Sequence, residues 1–163
     1  MPAPLPIRVI ASARRKKTVA ARIVDGVIEV RVPETLDATT RDEHVATLTA
    51  KLERQRAAGP IDLDERARRL ARRFDLPQPD AIIWSNRQNA RWGSCTVADR
   101  SVRISDRLAE LPPWVLDYVI VHELAHLVEP DHGPAFTALI SRYPRAERAM
   151  GFLEAVSLGY AGD

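Results

Sequence analysis

V-I-V-H-E-L-A-H-L-V, residues 119–128, is the stretch from which the rest of the chain is read. On a helix, positions four apart sit about 40° apart around the axis and one turn apart along it. His122 and His126 are so placed, and their imidazoles can converge on one metal ion from the same face. Glu123 lies one position off, where a carboxylate reaches a metal-bound water rather than the metal. The flanking residues are apolar nearly all round, as in a buried central helix. Two histidines and a glutamate there are costly without partners, and a divalent metal satisfies both imidazoles. The competing readings are a pair of hydrogen-bonded core histidines and a metal site without activity.

The helix has clear ends. Pro112-Pro113 opens it, with Pro113 suited to the first helical position. Pro130 disfavours helical geometry at Glu129, so the helix is expected to stop near Val128. That break lets His132 turn back as a third ligand, giving H-E-x-x-H-x5-H. Catalytic zinc usually takes three protein ligands and leaves one position for water, and three imidazoles suit zinc best. His44 falls on a polar helical stretch and reads as a surface residue.

Outward from this helix, residues 81–84, 89–97 and 101–105 read as short strands, expected to form an antiparallel sheet. Helices are expected from Gly133-Pro134 and over 145–157. At the N-terminal end, 6–11, 18–24 and 27–32 are β-prone, and Asp25-Gly26 is a strong hairpin signal between the last two. A polar helix over 37–57 carries Val45, Leu48 and Leu52 on one stripe and stops at Gly59-Pro60. Asp62 and Glu65 have capping-box spacing before a helix whose inner stripe is Leu63, Ala67, Leu70 and Phe74. The class is therefore α+β. A hairpin-and-helix subdomain is expected over 1–59 and the metal domain over 60–163.

Bulk properties narrow the setting. Apolar residues make up 45% and charged residues 28%, enough for a real core. No apolar run approaches a membrane span, and the N-terminus lacks a signal-peptide pattern, so the expected location is the cytoplasm. One cysteine, Cys95, excludes an internal disulfide. The net charge of +2 divides into +6 over residues 1–74 and −4 over 75–163. Arg14-Arg15-Lys16-Lys17 and the Arg66–Arg73 stretch could hold nucleic acid, or could be no more than a solvated, internally paired surface.

The order R-W-G-S-C (91–95), R-I-S-D-R-L (103–108), L-P-P-W-V-L-D-Y-V-I-V-H-E-L-A-H-L (111–127) and D-H-G-P-A-F (131–136) resembles the YgjP-like metallopeptidase domain. That family is related to the SprT and WLM minimal zinc peptidases. The resemblance is specific over about 80–155 and weaker over 14–75. It implies a zincin-like fold, Zn2+ on His122, His126 and His132, and Glu123 as catalytic base. The chain departs from the family at Asp131 and at Asp106 or Ser105, where Asn is frequent, and at Thr137, where Trp is frequent. Metzincins share the x5 spacing but place Gly where Glu129 stands, and Met150 reads as a core residue rather than a Met-turn.

In zincin-like folds the strand before the metal helix borders the cleft and can pair with extended substrate backbone. Alternation over 89–97 puts Asn89, Arg91 and Gly93 on one face. Arg91 could bind an anionic group or a developing oxyanion, or form a structural ion pair. Tyr118, Tyr143 and Arg142 are further candidates beside it, and Asp117 or Asp131 could orient an imidazole. Trp84, Trp92 and Trp114 read as packing residues, and Cys95 as a small buried one. The expected activity is zinc-dependent peptide hydrolysis. The alternatives are hydrolysis of nucleoside triphosphates or other phosphoanhydrides at the same site, and a non-catalytic zinc-stabilised module that binds nucleic acid.

Overall fold

The computed structural model describes residues 3–159. Two compact units divide between Pro60 and Ile61. The first holds β1 (Ile7–Ser12), β2 (Ala20–Val24), β3 (Val27–Pro33) and α1 (Ala38–Ala58). Asp25 and Gly26 both take positive φ, 48° and 76°, as a two-residue turn between β2 and β3 requires. β1 pairs in parallel with the other side of β3, so β3 is central. Alternation then sorts the faces. Ile28, Val30 and Val32 are buried with Val45, Leu48 and Leu52 of α1 packed against them. The opposite face carries Arg8, Arg22 and Arg31 around Glu29, at 3.6, 3.4 and 3.8 Å. Asp37 caps α1 by accepting from the Thr40 N–H at 2.9 Å.

The second unit holds α2 (Leu63–Phe74), β4 (Ala81–Ser85), β5 (Gly93–Thr96), β6 (Ser101–Ser105), a 3-10 turn (Asp106–Glu110), α3 (Pro113–Ala125), α4 (Pro134–Ile140) and α5 (Ala146–Ser157). Asp62 accepts from the Glu65 N–H at 2.9 Å, as the capping spacing predicts. Leu63, Ala67, Leu70 and Phe74 are the buried stripe of α2. The α+β class and the central metal-motif helix are as expected, but the sheet is mixed rather than antiparallel. Its order is β4-β6-β5: β5 and β6 form the antiparallel pair, and β4 pairs in parallel with β6. β6 lies at the centre, with its apolar residues Val102 and Ile104 fully buried.

α3 runs under this sheet with Val115, Leu116, Ile120, Val121, Leu124 and Ala125 at 0–1% exposure, so its backbone has no freedom to shift. Its α-helical part ends at Ala125, earlier than the proline alone predicts. His126 is the C-cap, and the Val128 and Glu129 N–H groups both donate to the Ala125 carbonyl. Among the described residues, no helix is long and apolar enough to cross a membrane.

Candidate metal centre and cleft

Three imidazoles meet at the end of α3. His122 is one turn inside the helix, His126 caps it, and His132 stands just before α4. Nε2 of His122 lies 3.2 Å from Nε2 of His126 and 3.3 Å from Nε2 of His132. All three ligand atoms fall within 4.8 Å of one another. A tetrahedral ion at the usual zinc–nitrogen length, about 2.0–2.1 Å, separates its ligands by about 3.3–3.4 Å, so this donor set fits zinc.

The second nitrogens fix the first. Nδ1 of His126 lies 3.1 Å from the Glu129 carbonyl, which can only accept. The proton therefore sits on Nδ1 and the lone pair on Nε2, as a metal ligand needs. Nδ1 of His122 faces the Tyr118 hydroxyl at 3.5 Å. Burial, and then the charges of His126 and His132, pushes His122 down to about 4, so it is neutral and able to coordinate at ordinary pH. Burial lowers His126 too, with the Glu129 carbonyl acting against it.

Phe136, from the first turn of α4, forms a floor beneath all three rings. It stacks on His126 at 4.5 Å and meets His122 and His132 edge-on at 4.9 and 4.7 Å. In the sequence Phe136 stands out only as the end of the D-H-G-P-A-F motif. Its tie to the metal site comes from the turn at Pro130, which brings the start of α4 back to the end of α3.

Glu123 is only 5% exposed. Burial pushes its carboxyl up to about 7, against the pull of the Arg91 guanidinium. Gly93 makes room for it: a Cβ at that position would lie 2.6 Å from Oε1 of Glu123. The pair defines one wall of a cleft of about 640 Å3. The three histidines, Tyr118, Arg91 and the β5 residues Gly93, Ser94 and Cys95 line it, with Met150, Leu153, Glu154 and Ser157 of α5 opposite.

Several expected roles move. Tyr143 does not line the cleft; its hydroxyl donates to the Trp114 carbonyl at 2.7 Å and its ring packs edge-on to Phe74. Arg142 donates to the Phe74 and Asp75 carbonyls at the end of α2. Asp117 is bonded to Arg66 at 2.6 Å rather than to an imidazole. Asn89 faces a second pocket, on the outer side of β5, because residues 86–92 form a loop and the strand begins only at Gly93. Met150 is 46% exposed in the cleft wall, not in the core.

Arg107, unremarked in the sequence, shapes that loop. It donates to the Gln88 and Arg91 carbonyls and lies 4.0 Å over the Trp92 ring.

The YgjP-like metallopeptidase domain matches residues 27–153, which is most of the chain. The chain belongs to that family. No curated protein and no solved structure matches it. For this YgjP-like domain, the family and the histidine cluster agree on a metal-dependent hydrolase.

Proposed function

We propose that the chain is a zinc-dependent peptidase in which His122, His126 and His132 hold the ion and Glu123 is the catalytic base. The observation that carries this reading is the convergence of three Nε2 atoms beside a buried carboxylate, in a cleft walled by β5. Bound zinc acidifies a water molecule and polarises a carbonyl. Glu123 would take a proton from the attacking water and pass it to the leaving amine. Arg91 and Tyr118 line the cleft, and we assign them to stabilising a developing oxyanion. β5 is an edge strand, so its outer N–H and C=O groups can pair with an extended peptide.

The test is metal analysis and casein cleavage on wild type, Glu123→Ala and His126→Ala. We expect one zinc per chain in the first two, cleavage in wild type alone, and loss of zinc from His126→Ala. Full cleavage by Glu123→Ala would sink the assignment of the base. Glu123-dependent turnover of nucleoside triphosphates, with casein untouched, would transfer the site to phosphoanhydrides. The setting we propose is the cytoplasm, since Cys95 is a free thiol in the cleft wall and disulfide chemistry belongs to oxidising compartments.

A second proposed partner is nucleic acid, through the β-sheet of the first unit. Arg8, Arg22 and Arg31 share its outer face, and Arg14 to Lys17 lie on the loop between β1 and β2. Residues 1–60 contain no Phe, Tyr or Trp, so contact would be mainly to phosphates rather than by base stacking.

A further inference from the structure

The outer side of the second sheet carries a pocket of about 440 Å3, walled by Arg87, Asn89, Arg91, Ser94 and Arg103, with Ser85 and Gln88. Three arginines line it and no acidic residue does. Arg87, Arg91 and Arg103 are exposed, and among the described residues none has a carboxylate within ion-pair distance. The arrangement is built rather than incidental. Arg103 is placed by register, directly opposite Ser94 on β5. Gln88 donates to the Ser94 hydroxyl at 2.7 Å, and Arg107 holds the Gln88 and Arg91 carbonyls from below. A pocket lined by arginines and no acid favours an anion, and guanidinium forks match a carboxylate.

The pocket adjoins the metal cleft. Arg91 and Ser94 line both, and β5, the strand between them, is the open edge. A peptide paired along that edge alternates its side chains between the two faces of the sheet. When one side chain points into the cleft, its neighbour points towards the three arginines.

We infer that this pocket is a specificity subsite for an acidic side chain of the substrate, next to a residue that occupies the cleft. The inference rests on the peptidase reading and adds a substrate class to it: acidic peptides in extended conformation.

The experiment uses zinc-loaded full-length protein and a quenched fluorescent peptide library. Glu, Gln and Lys are scanned in turn through the positions flanking the cut bond. At one flanking position we expect wild type to prefer Glu over Gln by about tenfold in kcat/KM, mostly through KM, the scale of a charge-assisted hydrogen bond. Arg103→Glu and, separately, Arg87→Glu should reverse the order to Lys over Glu at that position. The ratio within each variant is its own control for folding and zinc content. Cleavage without regard to charge, or a Glu preference that survives both substitutions, overturns the subsite and leaves the peptidase reading standing. A library that wild type leaves wholly uncut overturns the peptidase reading, and the acidic-peptide occupant with it.

Discussion

Gly93→Ala tests the cleft most directly, because it adds one methyl group at the point where β5 meets the carboxylate of Glu123, the proposed base. The new Cβ would lie 2.6, 2.8 and 2.9 Å from Oε1, Cγ and Cδ of Glu123. Ordinary contact begins at 3.4 Å, so one of the two must retreat. α3 cannot, with Ile120, Val121 and Leu124 fully buried on either side of Glu123. The side chain of Glu123 therefore moves, by about 0.8 Å, and displacements near 1 Å cost on the order of 10²-fold in rate. No imidazole is touched, so zinc content stays at the wild-type level. Overpacking should also destabilise the fold by about 1–3 kcal/mol. A double-mutant cycle separates this contact from general damage. In a Glu123→Ala background the added methyl group has nothing to strike, and Gly93→Ala should cost little stability there. The assay is peptide cleavage, zinc analysis and urea denaturation on the four proteins. Near-wild-type kcat in Gly93→Ala, or an equal stability loss in both backgrounds, would refute the argument that Gly93 sets the position of Glu123.

Other outcomes are expected. Glu123 titrates near 7 in the fold against an ordinary 4.5, so the folded state binds its proton more tightly and stability falls as pH rises between those values. Glu123→Gln should thus stabilise the metal-free protein at pH 8 by about 3 kcal/mol, with no gain at or below pH 4.5; equal gains at both pH values, by urea denaturation, would contradict this. Phe136→Ala removes the floor under three imidazoles, and competition with a chelator should show zinc affinity lowered about 10- to 100-fold. Tyr143→Phe should lose about 1 kcal/mol of stability with kcat/KM unchanged, since its hydroxyl bonds only to the Trp114 carbonyl. Arg8→Glu with Arg22→Glu should flatten the salt dependence of duplex DNA binding by about two in the log–log slope, read by fluorescence anisotropy; a slope unchanged from wild type would remove the sheet face from the proposal.

Local chemistry made much of this legible from residues alone. Asp25-Gly26 has a conformation few other pairs take readily, and Asp62 with Glu65 marks a helix start by hydrogen bonding within one turn. His122 and His126 are related by helix geometry, and His132 follows once Pro130 ends the helix. What stayed hidden depends on partners distant in sequence. Alternation in 101–105 says which side chains are buried but not that β6 lies between β4 and β5. Residues 89–92 have strand-like composition, yet they lie in a loop whose Gln88 and Arg91 carbonyls accept from Arg107. Gly93 and Glu123 are thirty positions apart, and only the packed sheet and helix bring them into contact. Tyr143 and Asp117 carry groups suited to a catalytic site, but Trp114 and Arg66 claim them.

The three imidazoles lie within eleven consecutive residues, 122 to 132. An ion held by them closes only a short loop, and short closures constrain the unfolded chain little. It acts as a local clasp on the turn between α3 and α4, while the hydrophobic core of the second unit, Phe136 and Tyr118 apart, rests on other side chains. Chelation should therefore loosen residues 127–133 and leave the sheet and α3 folded, with faster amide exchange confined to that turn. On the proposed reading, such a protein would lose and regain its metal without passing through an unfolded state, and its activity would follow the metal supply while its abundance would not.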